Sequence, residues 1–128
     1  MSAKALEVLV VEDDDDARKY VSDLLRAEGY DVTTAGDGLE ALAYASVGTF
    51  EVIVTDFRMP EMDGLELLHG LRVLCPRANT ILLSAFADVN TCIEAFHLGA
   101  VAHIKKPFKR EELIDAVEKA RPKAESNT

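Results

Sequence analysis

Side chains able to hold a metal ion stand at the ends of apolar runs in this sequence. Glu12 and Asp13 follow Val8-Leu9-Val10-Val11, Asp56 follows Val52-Ile53-Val54-Thr55, Ser84 closes Ile81-Leu82-Leu83, and Lys106 comes just after Ile104 and before Pro107. Carboxylates held close together raise one another's pKa unless a cation intervenes. Hard oxygen donors that leave room for water suit Mg2+ better than zinc or copper. Each residue alone has a plainer reading. Asp56 could be a solvated loop acid or a helix cap, and Lys106 a simple ion-pair partner.

What brings these residues together is the alternation of elements. Val52-Ile53-Val54 is a β-branched run that reads as a strand buried on both faces, and it is broken soon afterwards by Pro60 and Gly64. Four further strands are predicted at Glu7–Val11, Asp31–Ala35, Thr80–Ser84 and Val101–Lys105. Helical spacing marks the segments between and after them. Ala17, Tyr20, Val21, Leu24 and Leu25 form the inner face of the first helix, capped by Asp14 or Asp15 and stopped at Gly29. Gly36-Asp37-Gly38 turns into the second, with Leu39, Leu42 and Ala43 inward. Leu67, Leu68, Leu71 and Leu74 mark the third, Val89, Ile93 and Phe96 the fourth, and Leu113, Ile114, Val117 and Ala120 the fifth.

Regular βα alternation implies an α/β fold with a parallel sheet, helices on both faces and right-handed crossovers. All strand carboxyl ends then share one edge, where such sheets place their ligand sites. Strands one, three and four are the most apolar and belong at the centre; strands two and five carry polar residues and belong at the edges. This fits the order 2-1-3-4-5.

Composition narrows the classes. At 128 residues the chain is one domain, and its net charge of −9 argues against direct nucleic-acid binding. Part of that charge is the run Glu12-Asp13-Asp14-Asp15-Asp16. No apolar run approaches the ~20 residues that span a bilayer. The first residues do not form a signal-peptide pattern, so a cytoplasmic location is expected. Cys75 and Cys92 are too few for a disulfide framework and read as reduced thiols. His69 and His97 read as surface residues of helices, and Tyr20, Tyr30 and Tyr44 as packing residues.

Taken together, Val10-Val11-Glu12-Asp13-Asp14, Asp56-x-x-Met59-Pro60-x-Met62-Asp63-Gly64, Ser84-Ala85 and Lys106-Pro107-Phe108 resemble, in order and spacing, the receiver domain of two-component response regulators. The likeness covers residues 5–120. It implies a (βα)5 flavodoxin-like, CheY-like sandwich in residues 1–122, with 123–128 a flexible tail or the start of a linker. It makes Asp56 the phosphoacceptor for a sensor histidine kinase or a histidine phosphotransfer protein. Mg2+ would be held by Glu12, Asp13, Asp56 and the backbone carbonyl of Arg58. Ser84 and Lys106 would contact the phosphoryl group, and the Lys106–Pro107 bond would be cis. The fourth helix, fifth strand and fifth helix would form the face used for output or for a homodimer.

One position departs from the common pattern, and two others fall where the family varies. His103 stands where many receivers carry a Tyr or Phe that turns inward on activation. It could do the same, remain outward on an edge strand, or respond to pH. Arg58 and Phe86 occupy positions that tune phosphoryl lifetime in the family, and their bulk predicts slow hydrolysis. A Mg2+-dependent phosphatase of small molecules is a competing class. Such enzymes usually carry an Asp-x-Asp pair, and here position 58 is Arg.

Overall fold

Alternate residues of each central strand feed opposite faces of one sheet, and both faces are covered. In the computed structural model, which describes residues 4–59, 62–85 and 89–122, the strands are β1 (Glu7–Val11), β2 (Asp31–Ala35), β3 (Val52–Asp56), β6 (Asn79–Ser84) and β7 (Ala100–Lys105). They pair in parallel in the order β2-β1-β3-β6-β7, which is 2-1-3-4-5 when the five are counted along the chain. The helices are α1 (Asp15–Ala27), α2 (Gly38–Val47), α3 (Gly64–Leu74), α4 (Val89–His97) and α5 (Arg110–Ala120).

Val8, Val10, Val54, Ile81 and Leu83 pack with Val21 and Leu25 of α1 and Leu113 and Val117 of α5. Leu9, Val11 and Ile53 point the other way, onto Ala41 and Ala45 of α2 and Leu67 and Leu71 of α3. A smaller group of Leu68, Leu82, Ala95 and Ala100 seats α4. The central strands are apolar along their whole length because neither face meets water. Each fully buried Val or Leu contributes about 1.5–3 kcal/mol. β2 and β7 alternate with exposed positions and lie at the edges, as their composition predicts.

Each of the first three helices is started by an acid. Asp14 accepts from Ala17 N–H at 2.8 Å, Asp37 from Glu40 N–H at 2.7 Å and Asp63 from Leu65 N–H at 3.0 Å. Gly29 and Gly99 end α1 and α4 with φ of 90° and 104°, a conformation that L side chains disfavour.

Several inward assignments change. Leu39 and Ala43 point to solvent, and α2 instead buries Gly38, Ala41 and Ala45. Starting the helix at the Asp37 cap rotates its small residues onto the sheet. Tyr20 and Tyr44 are exposed, as are Leu74, Ile93 and Phe96. Tyr30 does pack against the core. The segment after Asp56 is more ordered than a plain loop, because β4 (Arg58–Met59) and β5 (Met62–Asp63) form a two-residue antiparallel pair. Pro60, Phe86 and residues 123–128 lie outside the described residues, as do the side chains of Arg58 and Val89.

Candidate functional site

Parallel pairing sets the heights at which the chemistry-bearing residues emerge. Val11 is level with Thr55, so Glu12 and Asp13 leave β1 beside Asp56 of β3. Asp56 is in turn level with Leu83, and Ser84 with Lys105. Main-chain bonds fix the strand ends: Glu12 N–H donates to Ala35 O at 3.1 Å, Phe57 N–H to Leu83 O at 3.1 Å and Lys106 N–H to Ser84 O at 3.0 Å.

The result is a cluster in which one carboxylate oxygen from each of Glu12, Asp13 and Asp56 lies within 4.8 Å of the others. Glu12 is only 1% exposed, Asp13 faces solvent and Asp56 lies between. Lys106 closes one side, its Nζ donating to Glu12 Oε1 at 2.9 Å and to Asp56 Oδ2 at 3.3 Å. The second oxygen of Glu12 accepts from Asp14 N–H at 3.2 Å. Ser84 is buried at the end of β6, and the Lys106–Pro107 peptide is cis.

Electrostatics explain the unusual proton affinities. Burial, reinforced by the charge of Asp56, pushes the Glu12 carboxyl up to about 7, although the hydrogen bond from Lys106 opposes it. Burial tends to lower the Lys106 ammonium, but the bond to Glu12 and the charges of Asp56 and Glu12 win, so its pKa is raised. One ammonium cannot balance three ionised carboxylates. The two formal negative charges left over match a divalent cation, and the donor set is all oxygen.

The loop after β3 is held by close approaches. A Cβ on Gly64 would lie 2.5 Å from Phe57 O, and one on Gly38 would lie 2.8 Å from Met62 Sδ. These contacts hold Met62 of β5 against the start of α2 and Phe57 against the start of α3, with Arg58 level with Asp63. His103 is half-buried on β7, level with Leu82 and so on the α4 side of the sheet. Its Nε2 is shut off from solvent and has no hydrogen-bond partner among the described residues.

Two contributors were not read from the sequence. Thr55 is buried beneath the site and its hydroxyl donates to Asp56 O at 3.0 Å. Arg18 reaches back from α1 to the Glu12 carbonyl. The available signal was an arginine two residues beyond the acidic run.

Comparison with known proteins agrees with this architecture. Residues 8–118 match the response regulator receiver domain. The chain is 36% identical over 115 residues to the transcriptional regulatory protein ZraR of Salmonella typhimurium, a match that covers 90% of this chain and 26% of that protein. It therefore spans about a quarter of the length of that relative. The structure of Vibrio cholerae chemotaxis protein CheY4 matches with a TM-score of 0.87 and 33% identity, over 91% of this chain and 99% of that one. A Burkholderia pseudomallei response regulator with a phosphorylated aspartic acid, calcium ion and citrate matches with a TM-score of 0.82 and 30% identity, over 87% of this chain and 65% of that one. Receiver domains are signalling phosphoacceptors charged by histidine kinases or phosphotransfer proteins. With its parallel sheet, its acidic cluster at the strand ends and its match over residues 8–118, this chain belongs to the response regulator receiver domain family.

Proposed function

We propose that the chain takes a phosphoryl group onto Asp56 from the phosphohistidine of a sensor histidine kinase or histidine phosphotransfer protein, in a Mg2+-dependent reaction. The observation that supports this most is the meeting of Glu12, Asp13 and Asp56 within 4.8 Å, with Lys106 bridging two of the three. Asp13, Asp56 and the Arg58 carbonyl would hold the ion, with Glu12 acting directly or through a water. When bound, Mg2+ supplies positive charge against the phosphoryl oxygens.

The chain's own residues do the rest. An Asp56 carboxylate oxygen forms a bond to phosphorus as the P–N bond to the donor imidazole breaks, and the electron pair returns to that nitrogen. Lys106, already 3.3 Å from Asp56, moves its ammonium onto the phosphoryl oxygens. The Ser84 hydroxyl donates to another. Water later attacks the phosphorus, the P–O bond to Asp56 breaks and inorganic phosphate leaves, so phosphotransfer and dephosphorylation are both reactions of the chain itself.

Phosphorylation would then shift the population of conformations that expose one face. Ile93 and Phe96 of α4 and Val101 of β7, each about half exposed, support α4, β7 and α5 as the surface for output or for a homodimer. The acting unit is residues 1–122, working in the cytoplasm with Cys75 and Cys92 as free thiols.

Intact-mass spectrometry tests the reading. With acetyl phosphate and Mg2+ the chain gains one phosphoryl group, and Asp56→Asn or chelation of the metal abolishes the gain. An equal gain by both versions, or by neither, sinks it.

A further inference from the structure

Glu12 is nearly inaccessible, and every polar group it carries is engaged. Its N–H goes to Ala35 O and its carboxylate takes Lys106 and the Asp14 N–H. Its carbonyl, which opens the peptide leading into Asp13, accepts from Arg18 Nη1 at 2.9 Å. The other end of the same guanidinium reaches Asp15 Oδ1 at 2.5 Å. Arg18 is therefore a brace between the first turn of α1 and the Glu12–Asp13 peptide that follows β1. The Asp15 contact involves a side chain 88% exposed and adds little by itself. The carbonyl contact is sheltered and sits directly behind Asp13.

The brace has a seat. A Cβ on Gly36 would come within 3.3 Å of Arg18 Nη1, closer than side chains ordinarily tolerate. The seat is rigid, because Gly36 N–H donates to Glu40 Oε1 at 2.7 Å while Asp37 caps Glu40 N–H. The turn between β2 and α2 supplies no group to the carboxylate cluster, yet it supports the loop that does.

We infer that Arg18, seated on Gly36, is a positioning residue that holds the Glu12–Asp13 peptide in its cation-binding pose. The inference rests on the metal site proposed above. Charge alone makes the opposite demand: a guanidinium this close to a cation site repels the cation, so its removal on electrostatic grounds would tighten binding. Positioning requires that removal weaken binding. The sign of the change separates the two.

The experiment is calorimetric titration of the full-length, metal-free chain with MgCl2 at fixed pH and ionic strength. Arg18→Met weakens Mg2+ binding about tenfold, the loss typical of groups that orient metal ligands. Arg18→Lys keeps the charge but cannot fork to both oxygens, so it does not restore affinity. Gly36→Ala, which leaves every charge in place, weakens binding by a smaller factor, and adding it to Arg18→Met causes no further loss. All variants melt within about 5 °C of wild type without metal, as the loss of one hydrogen bond allows. Unchanged or tighter binding by Arg18→Met overturns the inference while leaving the site intact. Full affinity in Arg18→Lys overturns the two-pronged brace, because a single ammonium would then hold the peptide as well. No binding by the wild-type chain overturns the site reading and this inference together.

Discussion

Lys106 lies closer to Glu12 than to Asp56, 2.9 Å against 3.3 Å, so without metal the ammonium is shared by the buried acid and the proposed phosphoacceptor. Lys106→Met leaves both carboxylates without that partner in a site of low accessibility. The partial exposure of Lys106 and Asp56 moderates the penalty. A loss of about 1–2 kcal/mol is expected at pH 8 in urea unfolding with chelator. The loss should shrink at pH 5, where Glu12 takes up a proton. An equal loss at both pH values would show that Glu12 is not the group relieved.

Glu12 itself predicts a pH dependence for the metal-free chain. Its carboxyl is raised from the ordinary 4.5 to about 7, so the folded state holds the proton over a range where the unfolded state has released it. Stability is therefore highest below about pH 4.5 as far as this group is concerned, and falls as pH rises toward 7. The contribution is on the order of 3 kcal/mol. Urea midpoints measured from pH 5 to 8 should fall in wild type and stay flatter in Glu12→Gln. Parallel curves would place the proton elsewhere.

Two glycines differ in what alanine would do. Gly64 has no room, since its Cβ would meet Phe57 O at 2.5 Å, and the segment it would displace is the one between Asp56 and α3. Gly64→Ala should cost about 1–3 kcal/mol and slow phosphorylation by acetyl phosphate. Gly29 has open space but φ of 90°. Gly29→Ala should cost about 1 kcal/mol and leave the phosphorylation rate unchanged. Matching rates for the two variants would remove the link between loop seat and chemistry.

Phe96, 48% exposed on α4, is available to a partner rather than to the core. Phe96→Asp should leave stability within about 0.5 kcal/mol. Light scattering on the phosphorylated chain should show a larger species for wild type, as the proposed homodimer requires, and none for Phe96→Asp. Persistence of that species would move the interface to another face.

The phosphoryl lifetime is tested by replacing the bulky residues after Asp56 and Ser84. Arg58→Asn with Phe86→Glu should shorten the half-life seen by intact mass. A half-life that barely changes would leave no role for side-chain bulk there. In a separate binding measurement, phosphorylation-dependent partner binding that is unchanged in His103→Phe would leave His103 without a switching role.

Much of this protein is legible along the chain. Continuous apolar runs mark strands buried on both faces, and their alternation with helical spacing leaves little freedom but a parallel sheet with its carboxyl ends together. Glu12, Asp13, Asp56, Ser84 and Lys106 could be named because each ends such a run. Helix faces were less legible: Leu39, Ile93 and Phe96 look like core by type, yet burial depends on where a cap starts the helix and on which neighbour arrives.

Strand burial is written in local hydrophobicity, so the order of the elements and the acids and bases that close them can be read along the chain. That Lys106 favours Glu12, that burial lifts Glu12 to about 7, and that Arg18 braces the Glu12 carbonyl over Gly36 emerge only in the folded molecule. Those are relations between residues 6 to 94 positions apart along the chain. Distance and shielding from water set their strength, and both exist only once the sheet has brought its strand ends together.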